Sequence, residues 1–226
     1  MTKLIIVRHA EAAGNKERYF QGHTDGKVSE KGRLQLEKLS ERFADIPFDA
    51  IYSSPLSRAV ETAEAINRYM KLPITTDDRL MEINGGCWEG NKWADLPTLY
   101  PEQAYNWSAA PWDFDPDGGE SMRECYARLS EAIKDIAAQN DGKTVAIASH
   151  GCAIRVLLCW AKGWVIERLN DVEWCDNTGI NIVEIENGVP TLISENDSSH
   201  ITEELSTFAA QKWWRADQRG EMCYDD

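Results

Sequence analysis

The chain predicts an α/β fold: a single-domain, three-layer α/β sandwich whose mostly parallel central sheet is flanked by helices. Three observations predict it. Short apolar runs rich in β-branched residues alternate with longer segments whose apolar residues recur at helical spacing, the pattern of strand–helix–strand units. The length of 226 residues, at about 150 residues per domain, allows one elaborated domain. No internal repeat or low-complexity linker divides the chain, so residues 1–226 are read as one domain.

The opening run Leu4 to Val7 is apolar throughout and β-branched at three of four positions, which fits a strand buried on both faces and ending at Val7. From Ser29, which can cap a helix, Leu36, Leu39 and Phe43 recur at helical spacing. Residues 48–54 read as a second strand. Pro55 then suits the first position of a helix whose apolar face is Leu56, Ala59, Val60, Ala63, Ile66 and Met70.

A Trp-rich stretch at about 84–118 is irregular and is read as an insertion, either packed onto the domain or forming a lid from Trp88, Trp93, Trp107 and Trp112. Met122, Cys125, Tyr126, Leu129, Ile133 and Ile136 mark a long amphipathic helix, and residues 144–149 the strand after it. The segment 152–161 is apolar on nearly all sides and reads as a buried helix. Residues 181–186 and 190–194 predict a hairpin around Asn187 and Gly188. A helix and tail at about 200–226 carry Trp213, Trp214 and the acidic end Tyr224, Asp225 and Asp226.

Composition narrows the function. With 42% hydrophobic and 27% charged residues the chain is that of an ordinary globular protein. It lacks the roughly 18 uninterrupted apolar residues of a membrane span, and the brief run before Arg8 is too short for a signal peptide, so the expected compartment is the cytoplasm. Against 38 acidic residues stand 24 lysines and arginines, a net charge of -14, which argues against a nucleic-acid surface. The six cysteines, Cys87, Cys125, Cys152, Cys159, Cys175 and Cys223, form no C-x-x-C pair and are read as reduced packing residues; no metal site and no cofactor are expected.

In open α/β sheets ligands bind beyond the carboxyl ends of the strands. Arg8 and His9 follow the first strand, Ser53 and Ser54 with Arg58 the second, and Ser149 and His150 the fourth apolar run. Two of the four histidines and two arginines thus converge on one crevice of an otherwise acidic chain. The arginine forks suit a phosphoryl group, and a neutral imidazole beside them can attack its phosphorus. Gly151 opens the next helix, whose N-terminal N–H groups attract anions.

These residues resemble the histidine phosphatase superfamily, also called phosphoglycerate-mutase-like. Its R-H-G-x-T-x-x-N signature is matched by Arg8, His9 and Asn15, with Ala10 and Ala12 in place of the usual Gly and Thr. F-Q-G is present as Phe20, Gln21 and Gly22. The S-S-P-L-x-R motif is matched by residues 53–58 with Arg58, L-x-E-x-x-x-G-x-W-E-G by residues 80–90 with Glu82, and S-H-G by Ser149, His150 and Gly151. The resemblance implies that His9 is the nucleophile and forms a phosphohistidine. It implies that Arg8, Arg58 and a protonated His150 bind the phosphate and stabilise the transition state, with Asn15, Gln21 and Gly22 as further phosphate ligands. Glu82 is then the proton donor to the leaving oxygen. His9 must attack as the neutral base while Glu82 holds a proton, so the expected optimum is acidic to neutral with two opposing titrations.

The expected activity is metal-independent hydrolysis of a small phosphorylated metabolite, a small-molecule phosphate ester, with a homodimer left open. The alternative is a phosphoglycerate mutase using the same phosphohistidine. Mutases carry N-E-R-H-Y-G after the position of Leu80, whereas residues 81–90 resemble the phosphatase branch with its α-ribazole and broad-specificity enzymes. A third reading, an inactive phosphate-binding regulatory module, is disfavoured because His9, His150 and Glu82 are all kept. His23 is read as a surface-loop residue near the entrance, and His200 receives no role.

Overall fold

The computed structural model describes residues 1–211. In chain order its elements are β1 (Thr2–Arg8), α1 (Ala13–Glu17), α2 (Glu30–Phe43), β2 (Ala50–Ser53), α3 (Ser57–Ile66), β3 (Ile74–Thr76), α4 (Leu96–Leu99), α5 (Pro101–Ala109), α6 (Met122–Gln139), β4 (Thr144–Ser149), α7 (Gly151–Ala161), β5 (Ile180–Glu186), β6 (Val189–Asp197) and α8 (Thr207–Ala210). The six strands form one sheet in the order β3-β2-β4-β1-β5-β6. β1, β2, β3 and β4 run parallel, and β5 and β6 close one edge antiparallel.

Alternation along the strands builds the three layers. Leu4 and Ile6 of β1 join Val145 and Ile147 of β4 in a core shared with Leu129, Ile133 and Ile136 of α6 and Leu157 and Leu158 of α7. Ile5, Val7, Ala146 and Ala148 point the other way, onto Leu39 and Phe43 of α2 and Ala63 and Ile66 of α3. Burial on both faces is why these strands read as continuous apolar runs. The expected sandwich is the observed one.

Several boundaries differ, each for a local reason. Ser29 caps α2 as expected, its hydroxyl accepting the Gly32 N–H at 3.0 Å, a cap worth about 1 kcal/mol. α3 begins at Ser57 rather than Pro55, because Asp25 from a distant loop supplies the cap and takes the Ser57 N–H at 3.0 Å. It ends at Ile66, short of Met70, where the Asn67 amide closes on both backbone groups of Leu72 at 2.6 and 2.9 Å. β1 runs through Arg8, one residue beyond its apolar stretch, and β3, only three residues long, carries no sequence pattern of its own.

The Trp-rich insertion is packed onto the domain. Trp88 is fully buried, and its ring meets Phe20, Trp93, Trp107 and Phe114 at centroid distances of 4.8 to 6.2 Å. Trp112 also packs against this core. Cys125, Cys152, Cys159 and Cys175 are buried free thiols and Cys87 is half-buried. Among the described residues no helix is long and apolar enough to cross a membrane. Of the helix expected from about 200, residues 200–206 form turns and only α8, a single turn, is helical among the described residues; Trp213, Trp214, Cys223 and the acidic end lie outside the described residues.

Candidate active site

β2, β4 and β1 are adjacent and parallel, so their carboxyl ends share one edge of the sheet. Register sets Arg8 beside Ser149, and the next residue of each strand, His9 and His150, enters the same crevice. The His9 N–H donates to the Ser149 carbonyl at 2.9 Å. The two imidazole centroids lie 5.2 Å apart, with the rings tilted by 55°. Arg8, His9, Arg58, Glu82 and His150 are all buried.

The Nδ1 atom of His9 is 2.7 Å from the Ala10 carbonyl oxygen. A carbonyl only accepts, so Nδ1 carries the hydrogen and Nε2 keeps its lone pair. Burial, followed by the charges of Arg58 and Arg8, holds the pKa of His9 well below its ordinary value. The free site therefore presents a neutral imidazole with a bare Nε2, the form a nucleophile requires.

Burial, then Arg58, His9 and Arg8, push the pKa of His150 well below the ordinary value as well, so the free site favours its neutral form and the expected protonated form calls for a bound anion. Two guanidinium groups already crowd it, and only an incoming phosphoryl dianion offsets a third positive charge. Its Nε2 pairs with the Ser54 hydroxyl at 2.7 Å, while Nδ1 is buried without a partner.

Both arginines are seated by carbonyl oxygens. Arg8 donates through Nη1 to the Cys175 carbonyl. Arg58 donates to Gly22 O at 2.7 Å, Thr24 O at 3.0 Å and Gln21 O at 3.3 Å, and its nearest carboxylate, Asp25, stands 3.9 Å away. Such contacts orient a guanidinium without neutralising it, and each Nε remains buried with no partner. Burying positive charge this way is costly and is offset by an anion. Gly151 lets Arg8 lie against the start of α7, since a Cβ there would sit 3.2 to 3.3 Å from the guanidinium.

Glu82 spans the same helix terminus. Its Oε1 accepts from Ile83 N at 3.0 Å and Ala153 N at 2.8 Å, and its Oε2 from Cys152 N at 3.0 Å. Oε2, with a single backbone donor, retains a free lone pair.

The remaining expected residues divide. Gln21 is clamped between Gly14 and Gly26, where a Cβ would come within 2.2 and 2.1 Å of its amide. Its Oε1 takes the Gly14 N–H at 2.8 Å, and its Nε2 is buried against Gly26 without a partner. Asn15 spends its Oδ1 on the Ala12 N–H at 3.1 Å, bracing the turn in which Ala10 and Ala12 are both fully buried. Gly22 has its N–H on Glu89 and its carbonyl on Arg58, so its expected role as a phosphate ligand gives way to one of seating Arg58. His23 is half-buried and donates through Nε2 to the Glu82 carbonyl at 3.0 Å rather than standing free on the surface.

Some site residues are not singled out by the sequence. Asn177 donates through Nδ2 to the His9 carbonyl at 2.8 Å, and the Thr178 N–H meets the Arg8 carbonyl at 3.1 Å. His200, given no role above, contacts the Thr178 hydroxyl at 3.1 Å. Asp176 ties this loop to the C-terminal segment through the Ser206 hydroxyl and the Thr207 N–H. Their one local signal is the polar cluster Asp176, Asn177, Thr178 and Gly179 just before an apolar strand.

The model of the histidine phosphatase superfamily, branch 1, matches residues 4–198. The chain belongs to this superfamily. It is an enzyme of the phosphatase class. Phosphoserine phosphatase 1 of Hydrogenobacter thermophilus is 31% identical over 206 residues, covering 90% of this chain and 96% of that protein. Phosphoglycerate mutase-like protein 4 of Arabidopsis thaliana is 32% identical over 205 residues, covering 89% and 87%. Among solved structures, Bacillus stearothermophilus YhfR superposes with a TM-score of 0.85 at 33% identity, covering 89% of this chain and all of that one.

Proposed function

We propose that this enzyme hydrolyses a small phosphorylated metabolite by way of a phosphohistidine at Nε2 of His9, without a metal ion. One observation carries the reading. Arg8 Nε, Arg58 Nε and His150 Nδ1 are all buried without partners, on the residues that surround a neutral histidine nucleophile. Three idle nitrogens in so acidic a chain suit the equatorial oxygens of a phosphoryl group, whose transfer needs positioning and charge stabilisation above all.

In the first half-reaction His9 Nε2 forms the N–P bond as the ester P–O bond breaks, and the proton on Glu82 passes to the leaving oxygen. Glu82, now a carboxylate, takes a proton from the water that attacks phosphorus in the second half-reaction. Orthophosphate departs and His9 is restored. Arg8 and Arg58 supply the positive charge throughout, and His150 gains its proton with the bound dianion.

The mutase reading keeps the first half-reaction and returns the phosphoryl group to an acceptor hydroxyl instead of water; the mutase-like Arabidopsis relative keeps it in play. Rapid quenching with a phosphomonoester, followed by mass spectrometry under conditions that preserve phosphohistidine, tests the shared intermediate. Turnover on a panel including phosphoserine and 3-phosphoglycerate, with chelator present, separates the outcomes. Phosphate on His9 with orthophosphate released supports the hydrolase. Transfer between the 2 and 3 positions of phosphoglycerate supports the mutase, and neither phosphoenzyme nor turnover leaves a binding module.

A further inference from the structure

Glu89 lies outside the crevice, yet its carboxylate collects more donors than any catalytic group. Oε2 accepts the Gly22 N–H at 3.2 Å, the Thr24 N–H at 3.0 Å and the Thr24 hydroxyl at 2.6 Å. Oε1 accepts the His23 N–H at 2.8 Å and the Gly85 N–H at 2.9 Å. Three consecutive N–H groups converging on one anion make a concave backbone nest. The carbonyls of the same loop, Gln21, Gly22 and Thr24, are the three that hold Arg58. The loop is thus stretched between an anion on its N–H side and a cation on its C=O side.

We infer that Glu89 is a positioning residue for Arg58: by gathering the N–H groups of residues 22–24 it turns that loop's carbonyls onto the guanidinium and sets the angle at which Arg58 meets a phosphoryl group. The inference rests on the phosphate-binding reading of the crevice. Three features support it. Arg58 is fully buried and, beyond a 3.9 Å approach of Asp25, is oriented by those carbonyls. Gly22 cannot be replaced without collision, because a Cβ there would come within 2.3 Å of both Glu89 Oε1 and the Ile83 carbonyl. Burial opposes the charge on Glu89, but the Thr24, Gly85 and His23 hydrogen bonds outweigh it and hold the carboxyl below its ordinary pKa.

The carboxamide of Glu89→Gln keeps the shape and turns an N–H₂ toward donors, so the loop must rotate. Displacing a transition-state contact by about 1 Å costs on the order of 100-fold in rate, so with p-nitrophenyl phosphate kcat should fall by about that factor and KM rise less. The decisive comparison is a double-mutant cycle with Arg58→Ala. If Glu89 acts through Arg58, the double variant is no slower than Arg58→Ala alone to within about threefold; multiplied losses would overturn the inference. So would a folded Glu89→Gln enzyme with wild-type kcat. If Glu89→Gln does not fold, Thr24→Val, which removes only the hydroxyl donor, enters the same cycle. If the wild-type protein turns nothing over, the hydrolase reading fails by itself, and the cycle is read on orthophosphate affinity, with the same non-additivity expected.

Discussion

The Nδ1 atom of His9 and the carbonyl oxygen of Ala10 lie 2.7 Å apart, and this contact selects the nitrogen that attacks. Phosphorylation belongs on Nε2. Phosphorus NMR of the denatured phosphoenzyme should show that isomer, and signal from the Nδ1 isomer would contradict the tautomer. His9→Ala should lose turnover by about 10⁴-fold or more while still binding orthophosphate, because both arginines and His150 remain.

Neutral buried imidazoles set a pH dependence of stability. Burial and then Arg58 hold both His9 and His150 well below the ordinary value of 6.5. As the pH falls through 6.5, the unfolded chain takes up protons that the native chain refuses. Their contribution is therefore complete above that pH and is lost toward the depressed native values. Thermal melts should show Tm falling from about pH 6.5 to about pH 5, less steeply in His9→Asn. Equal slopes for the two proteins would remove His9 from the account.

Glu82→Gln should separate substrates by leaving group. Esters of simple alcohols, which need a proton as they depart, should slow by about 10²- to 10³-fold, whereas p-nitrophenyl phosphate should lose no more than about tenfold. A uniform loss would assign Glu82 to holding the start of α7, where it takes the N–H groups of Cys152 and Ala153.

Asn177→Ala removes the donor that meets the His9 carbonyl at 2.8 Å. Leaving a buried acceptor unpaired costs about 1–3 kcal/mol, so chemical denaturation should show a loss of that order. The rate should drop further than the lost stability explains, since the bond fixes the backbone of the nucleophile. Unchanged kcat in the folded variant would reduce Asn177 to a packing role.

The strands and the residues at their ends were legible because both signals are local: an unbroken apolar run, then Arg8 and His9, or Ser149 and His150. Five motifs in fixed order carried the family. Glu89 stood inside a matched motif, yet its purpose was invisible, because all its donors but the Gly85 N–H come from a loop more than 60 residues away. Asn177 is further removed, 168 residues from His9. The depressed pKa of His150 in the free site was illegible for a related reason, since sequence shows the cations that gather but not how dry the place is. Pro55 invited a helix start that a remote carboxylate, Asp25, moved to Ser57.

The tie between Asp176 and Ser206 has a consequence for the order in which the molecule is made. Every side chain with a proposed chemical role lies at or before His150 in the chain. The loop bearing Asn177 is anchored through Asp176 to Ser206 and Thr207, and Lys31 and Gln35 reach the same late segment at Ser206 O and Leu205 O. A nascent chain halted before this stretch holds the nucleophile, both arginines and the acid, but not the fastening that keeps the backbone of Arg8 and His9 in place. Loss of residues 205–207 would therefore leave every one of these side chains in the chain yet slacken the backbone that carries the nucleophile, an effect exerted from a distance.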